Sequence, residues 1–295
     1  MTDVVIRPLV AGEEALFDSM PDPLPQLRQI SYADGIAGGG YRPERTWIAL
    51  RAGRVVARAA WLHLPGAVGA PWLERFDLAA EPAVGAALLR AAHEALGGPL
   101  AYHAALPAYW RRRPEVLAVV EAPMAAARLA GLVERGERLR CTWAGAPLPA
   151  TSGRYTVRPA ADREEINALV ARIVEPDVLT GRETARAVAG VDLATDPLAW
   201  LTGPPADWRV ALDEGRPVGL AGTAGDACYP LLAYLGLLDG AARDELLVAA
   251  VRVLAEGGAR EVVADVDGHR VGVLADLERT GFRQVRARVI FEPVG

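Results

Sequence analysis

Two apolar runs joined by a turn containing Gly-Arg, WIALRAGRVVA (Trp47 to Ala57), read as a β-hairpin, and the pattern returns as RVALDEGRPVG (Arg209 to Gly219). Other segments return in the same order. The opening IRPLVAGEE (Ile6 to Glu14) is echoed by VRPAADREE (Val157 to Glu165), with the arginine, proline and both glutamates in matching positions, and each copy leads into an amphipathic helix. LLRAAHEALGG (Leu88 to Gly98) is matched by LLVAAVRVLAEGG (Leu246 to Gly258), where Leu-Leu-x-Ala-Ala at helical spacing stops at Gly-Gly, a C-cap signal. After that helix each copy gives a short apolar strand, LAYHAAL (Leu100 to Leu106) and EVVADV (Glu261 to Val266), which implies a strand-helix-strand crossover and parallel pairing. A further helix and a final strand, RLRCTW in the first copy and QVRARVIFEP in the second, close each one. The order β-α-β-β-β-α-β-α-β thus runs twice. It predicts an α/β (α+β) protein of two domains, residues 1–146 and 155–295, joined by a linker at 147–154 rich in proline, glycine and small residues.

Composition narrows the classes. The chain of 295 residues is 52% hydrophobic and 23% charged, the balance of a folded protein with a core. Its formal net charge of −5 argues against a general affinity for nucleic acid or an anionic membrane and favours small-molecule or protein partners. The N-terminus has no basic segment followed by an apolar run, and no window offers about 18 uncharged apolar residues, so a cytoplasmic location is expected. Cys141 and Cys228 are far apart, and His63, His93, His103 and His269 are scattered, so neither a disulfide framework nor a metal site is expected. Ser19, Ser31 and Ser152 lie in no Gly-x-Ser-x-Gly elbow, which leaves a serine hydrolase without support.

The stretch DLERTGFRQVRARVIFE (Asp276 to Glu292) resembles the last helix, Gly-Phe turn and last strand of the GNAT (Gcn5-related N-acetyltransferase) superfamily. LVERGERLRCTW (Leu132 to Trp143) is similar, with Glu137 where the phenylalanine would stand. With the element order, the resemblance covers nearly the whole chain. It implies two tandem GNAT-like domains, each a mixed, mostly antiparallel sheet with flanking helices. It also implies acetyl-CoA or another acyl-CoA as co-substrate, no metal, and a small-molecule amine as acceptor. Nucleic acid and membrane are not expected as partners, and pairing into a homodimer is left open.

In this superfamily the pyrophosphate of acyl-CoA sits on backbone N–H groups at the start of the mid-domain helix. Glycines there let the backbone approach a dianion, and the helix terminus supplies unpaired donors. The resemblance places FDLAAEPAVGAALL (Phe76 to Leu89) at that loop in the first copy. It lacks the usual arginine but keeps Val84-Gly85-Ala86, so Phe76, Leu78, Val84, Gly85 and Ala86 are the expected cofactor-binding residues. Glu81 competes for the same amides, and Gly85 serves close helix packing equally well. Arg112, in the run Arg111 to Arg113, is the expected substitute cation for phosphate. The second copy has YLGLLDGAARDELL (Tyr234 to Leu247), where Asp239, Asp244 and Glu245 stand near the free amides, cap the helix and repel pyrophosphate. It is expected to have lost CoA binding.

The resemblance also implies a carboxylate base on the strand before the loop. Glu74 of WLERFDL holds that place, on the face of Phe76 and Leu78 by strand alternation, with Asp77 opposite. Its other reading is a strand acid paired with Arg75. The tyrosine that usually protonates the thiolate is replaced by Leu132 and Leu277, leaving water or a tyrosine such as Tyr32, Tyr41, Tyr102 or Tyr109. The segment Ser31 to Trp47, glycine-rich and read as a flexible loop, offers Tyr32, Asp34 and Tyr41 to an amine substrate. The expected function is an N-acyltransferase with a catalytic first domain and a degenerate second. The alternative is a catalytically silent tandem GNAT-like protein that binds a ligand or a partner.

Overall fold

The computed structural model describes residues 3–28, 30–199, 207–225 and 230–294. Cys228 lies outside them. The chain divides into two compact units, Met1–Glu137 with Arg286–Gly295, and Arg138–Val285.

In the first unit, β1 (Val4–Pro8), β2 (Thr46–Arg51), β3 (Arg54–Leu62) and β4 (Trp72–Leu78) pair antiparallel in that order, and β5 (Tyr102–Pro107) lies parallel to β4. Between β1 and β2 come α1 (Glu14–Asp18) and α2 (Tyr32–Ala37). The crossover helix α3 (Pro82–Ala95) packs against α4 (Pro114–Leu129). The hairpin read from the sequence is present, and its turn is tight. Ala52 and Gly53 both take positive φ (50° and 75°), as a two-residue primed turn demands, and Glu214 and Gly215 repeat this in the second unit (49° and 83°).

The second unit repeats the order as β7 (Thr156–Pro159), β9 (Trp208–Asp213), β10 (Arg216–Ala224) and β11 (Leu231–Leu237), with β12 (Val262–Asp267) parallel to β11. Its helices are α5 (Arg163–Val170), α6 (Arg182–Ala189), α7 (Arg243–Glu256) and α8 (Val271–Arg279), and a two-residue strand β8 (Val178–Leu179) pairs with β11. Both units are therefore mixed, mostly antiparallel sheets with flanking helices. Among the described residues no helix is long and apolar enough to cross a membrane.

The closing strands differ from the sequence reading. β6 (Leu132–Trp143) places its second half, Arg138 to Trp143, antiparallel to β12 of the second unit. β13 (Phe282–Pro293) places Arg286 to Phe291 antiparallel to β5 of the first. Each copy's final strand thus completes the other copy's unit. The apolar pattern explains it. In β6 the residues just past α4, Val133 to Glu137, are exposed or half-buried, and the buried residues Leu139, Cys141 and Trp143 come only later. The buried half begins at Arg138, the seventh residue of the strand. There Cys141 and Trp143 join a core with Leu246, Val262, Ala264, Leu277 and Phe282.

α4 and α8 end at Gly131 (φ 94°) and Gly281 (φ 99°), so Leu132 is the counterpart of Phe282, and Glu137 is not. Leu132 and Phe282 are both buried. The helix position four residues before the glycine is Ala127 in the first unit, which like Leu277 has no hydroxyl.

Candidate active site

β4 and β5 pair at Leu73 and Tyr102 and then part. The parting begins at a bulge: Ala60 pairs with Arg75 and Trp61 with Leu73, so Glu74 has no partner on β3. Between the separated strands lies a cavity of about 30 Å³ whose lining includes Glu74, Phe76, Asp77, Tyr102, Val120 and Arg28. The bulge interrupts the alternation assumed from sequence. Phe76 and Leu78 face α3, whereas the Glu74 carboxylate accepts a hydrogen bond from the Tyr41 hydroxyl, which also accepts one from its neighbour Arg75 at 3.3 Å.

A buried set of charges beside the same cavity braces the strand. Asp77 is gripped by Arg58 (2.8 Å) and Arg28 (3.0 Å), and Arg28 also holds Asp22 (2.7 Å). Arg58 finishes its donors on the carbonyls of Phe17 and Met20. Burial works to raise the Asp22 carboxyl, but the Arg28 cation and its hydrogen bond outweigh this and leave it below the usual range. Arg28, Arg58 and Asp22 were not singled out from sequence. An arginine inside the buried run VVARAAWL was the available signal, because a charge in such a strand must be paired.

The cofactor-binding candidates divide by surroundings. Gly85 is buried in α3, and a Cβ there would fall 2.8 Å from Ala126 Cβ, 3.0 Å from Leu78 and 3.1 Å from Phe76. Its packing role is thus present. Ala86 is buried, Val84 is half-buried, and Phe76 stands edge-on to Tyr102 with ring centroids 5.7 Å apart. Glu81 makes no cap to α3 and turns its carboxylate to Arg51 (2.7 Å), which leaves the first turn of α3 without an acidic side chain on its amides. Arg112 lies over the Tyr109 ring (5.9 Å), while Arg111 and Arg113 pair with Glu137 and Glu115.

Of the substrate-binding candidates, Tyr41 is brought to Glu74 and the other two are not. Tyr32 is in the core, stacked on Phe17 (4.0 Å) with its hydroxyl on Thr46 (2.8 Å), and burial pushes it up to about 12. Asp34 is exposed, and its amide and carboxylate both bond the Ser31 hydroxyl. The segment read as a flexible loop is folded: Ser31 caps α2, and Gly35 seats the Tyr41 ring, since a Cβ there would lie 2.2 Å from Tyr41 Cδ2.

The same place in the second unit is filled by the chain itself. β11 and β12 pair at Leu231 and Val263 and part, and β8 enters along β11 with Leu179 opposite Tyr234 and Val178 opposite Leu235. Backbone bonds from Asp177 to Leu235 (2.7 Å) and from Thr180 to Ala233 (2.9 Å) extend the ladder. The Thr180 hydroxyl donates to the Leu232 carbonyl and accepts from the Asp265 amide (3.0 Å), so it bridges the two parted strands. The acids before α7 are also engaged. Asp239 accepts from the Ala241 amide (3.1 Å) and so caps the short 3-10 turn Gly240–Ala242 before α7, Asp244 pairs with Arg279, and Glu245 accepts from the Ser152 hydroxyl, so none of the three caps α7 itself as expected. Among the described residues no cluster of His, Cys, Asp and Glu suits a metal ion.

No family model and no curated protein matches this chain. Solved structures do. A GCN5-related N-acetyltransferase from Sphaerobacter thermophilus superposes with a TM-score of 0.55 at 14% identity, over 98% of this chain and 94% of that one. A tandem GNAT protein from the clavulanic acid biosynthesis pathway aligns over 98% of both chains at 17% identity and a TM-score of 0.45. A GCN5-related N-acetyltransferase from Kribbella flavida aligns over 80% of this chain and 87% of that one, at 16% identity and a TM-score of 0.46. The Sphaerobacter likeness shows the fold, which is that of the GNAT acetyltransferases.

Proposed function

We propose that the protein is an acyl-CoA-dependent N-acyltransferase, most simply an acetyltransferase acting on a small amine, with the first unit catalytic and the second structural. One contrast carries the reading: the parted strands β4 and β5 enclose a cavity bearing Glu74, while β8 fills the equivalent place in the second unit. A fold by itself does not fix chemistry, so the residues must supply it.

They fit an acyl-CoA in three ways. The open edge of β4 beyond Leu73 offers backbone groups to the two amides of a pantetheine arm. The first turn of α3 has no N–H at Pro82 and spends the Val84 N–H on the Glu81 carbonyl (2.9 Å), but with the Glu81 carboxylate drawn away to Arg51 it offers the Ala83 amide and a positive dipole end to pyrophosphate. The cavity has room for roughly two or three heavy atoms, the size of an acetyl group. Bound acyl-CoA supplies the activated thioester carbonyl. Glu74 accepts the amine's proton, directly or through a water, as the nitrogen bonds the acyl carbon and the carbon–sulfur bond breaks. Apolar walls from Phe76, Tyr102 and Val120 exclude bulk water, and holding the two reactants together supplies much of the acceleration.

A second reading, a silent ligand-binding protein, is favoured by Ala127 and Leu277, which give the last helix of neither unit a hydroxyl to protonate a leaving thiolate. Calorimetric titration with acetyl-CoA separates the two readings together with a thiol-release assay. Gly85 is a poor probe because any side chain there strikes Ala126. Ala83, exposed at the second position of α3, is a good one. Ala83→Glu adds a carboxylate that favours the helix but repels pyrophosphate, so affinity should fall by about tenfold or more with no loss of Tm. Absence of binding to wild-type protein at millimolar acetyl-CoA would defeat the acyltransferase reading. Binding without thiol release in the presence of simple primary amines would favour the silent one.

A further inference from the structure

We propose that Tyr41 and Arg75 position Glu74 for proton transfer, a role that rests on the acyltransferase reading above. A side chain on a regular strand points where the pleat sends it. Glu74 is released from that constraint by the bulge, so something else must fix its carboxylate. The Tyr41 hydroxyl does so. It donates its single proton to Glu74 Oε2 and receives Arg75 Nε–H in return.

The donor is itself rigidly held. Tyr41 is 2% exposed, its ring rests on Gly35, and the Arg75 guanidinium stands 5.5 Å from the ring centroid. Arg75 is 5% exposed, donates to the Ile30 carbonyl, and has Asp22 at 3.9 Å. Burial, reinforced by the Glu74 charge, raises the Tyr41 phenol well above its usual range, so it keeps its proton. With that proton committed to Oε2, Oε1 is the oxygen left to take a proton from the amine in the cavity that Glu74 lines. Tyr41 therefore stands behind the base rather than against the substrate. While this arrangement lasts it has no proton to give a thiolate.

Two measurements test this. With ¹³Cζ-labelled tyrosine, Glu74→Gln keeps the side chain's shape and removes its charge, so the Tyr41 resonance should move at neutral pH. The Tyr32 resonance, whose hydroxyl bonds Thr46, should stay put. In thiol-release assays with acetyl-CoA and a panel of simple primary amines, Tyr41→Phe should lower kcat by about tenfold or more with the KM for acetyl-CoA unchanged. A Tyr41 resonance indifferent to Glu74→Gln, or a Tyr41→Phe enzyme with wild-type kcat, overturns the proposal. Wild-type protein that releases no thiol sinks the acyltransferase reading instead, and the resonance still decides whether Tyr41 is coupled to Glu74.

Discussion

Gly35 shows how one missing Cβ sets the site. It lies inside α2 with an ordinary helical backbone, where alanine would ordinarily gain up to about 1 kcal/mol of helix stability. Here the added carbon would lie 2.2 Å from Tyr41 Cδ2 and 2.6 Å from Cε2, in a ring packed on Tyr32 and bonded to Glu74. Forced overpacking costs about 1–3 kcal/mol, so the clash outweighs the propensity. Gly35→Ala should lower the urea unfolding free energy by about 1–2 kcal/mol, and a stabilised variant would show that the ring yields freely. At this scale the sequence disclosed identities better than geometry. Glu74 and Tyr41 were both candidates, but nothing local announced the bulge that brings them together, because it arises from a register shift against β3. The echoed Arg-Pro and Glu-Glu did carry a contact in each copy. Arg7 chelates Glu13, the first glutamate, whereas Arg158 chelates Glu165, the second, so the two turns differ by one residue.

At the scale of elements, the contrast between the units comes down to β8, a strand of two residues. So short a strand is held by what flanks it, and Thr180 is the chief fastening because its hydroxyl serves both Leu232 and Asp265. Thr180→Val keeps the shape and strands a buried carbonyl and a buried amide. Each unsatisfied group costs about 1–3 kcal/mol, so a total loss of about 2–4 kcal/mol is expected, with faster amide exchange at Asp265. Unchanged exchange there would mean that the strand holds without its side-chain bridge. Nothing local announces β8, because two apolar residues, Val178 and Leu179, are too few to show a strand's alternation. The exchanged closing strands were equally hidden. Periodicity marks which half of β6 is buried, but one face of a strand carries no label for the core it will meet.

For the whole molecule, the clearest expectation concerns acid. His93, in α3 of the first unit, is 5% exposed, stands edge-on to Trp61 at 5.7 Å, and its Nε2 finds no partner among the described residues. Burial without a partner penalises the imidazolium and pulls the group from 6.5 down to about 4. The unfolded chain takes up the proton near 6.5 while the folded protein resists it until about 4. Stability from His93 is therefore complete above the higher value and is lost as pH falls toward the lower one. Over pH 7 to 5 the loss is about 2 kcal/mol. The carboxylates held low by arginines, Glu13, Glu81 and Glu165, add their losses only at lower pH, as each falls below its ordinary value of 4.5. Urea titrations at pH 7 and 5 should therefore show wild-type protein weakening while His93→Leu, apolar and without a proton to bind, hardly changes. Because the histidine belongs to one unit, amide exchange at pH 5 should quicken across α3 and β3 and leave α7 and β10 as they were. Parallel losses in wild type and variant, or an even loosening of both units, would place the acid-sensitive group elsewhere.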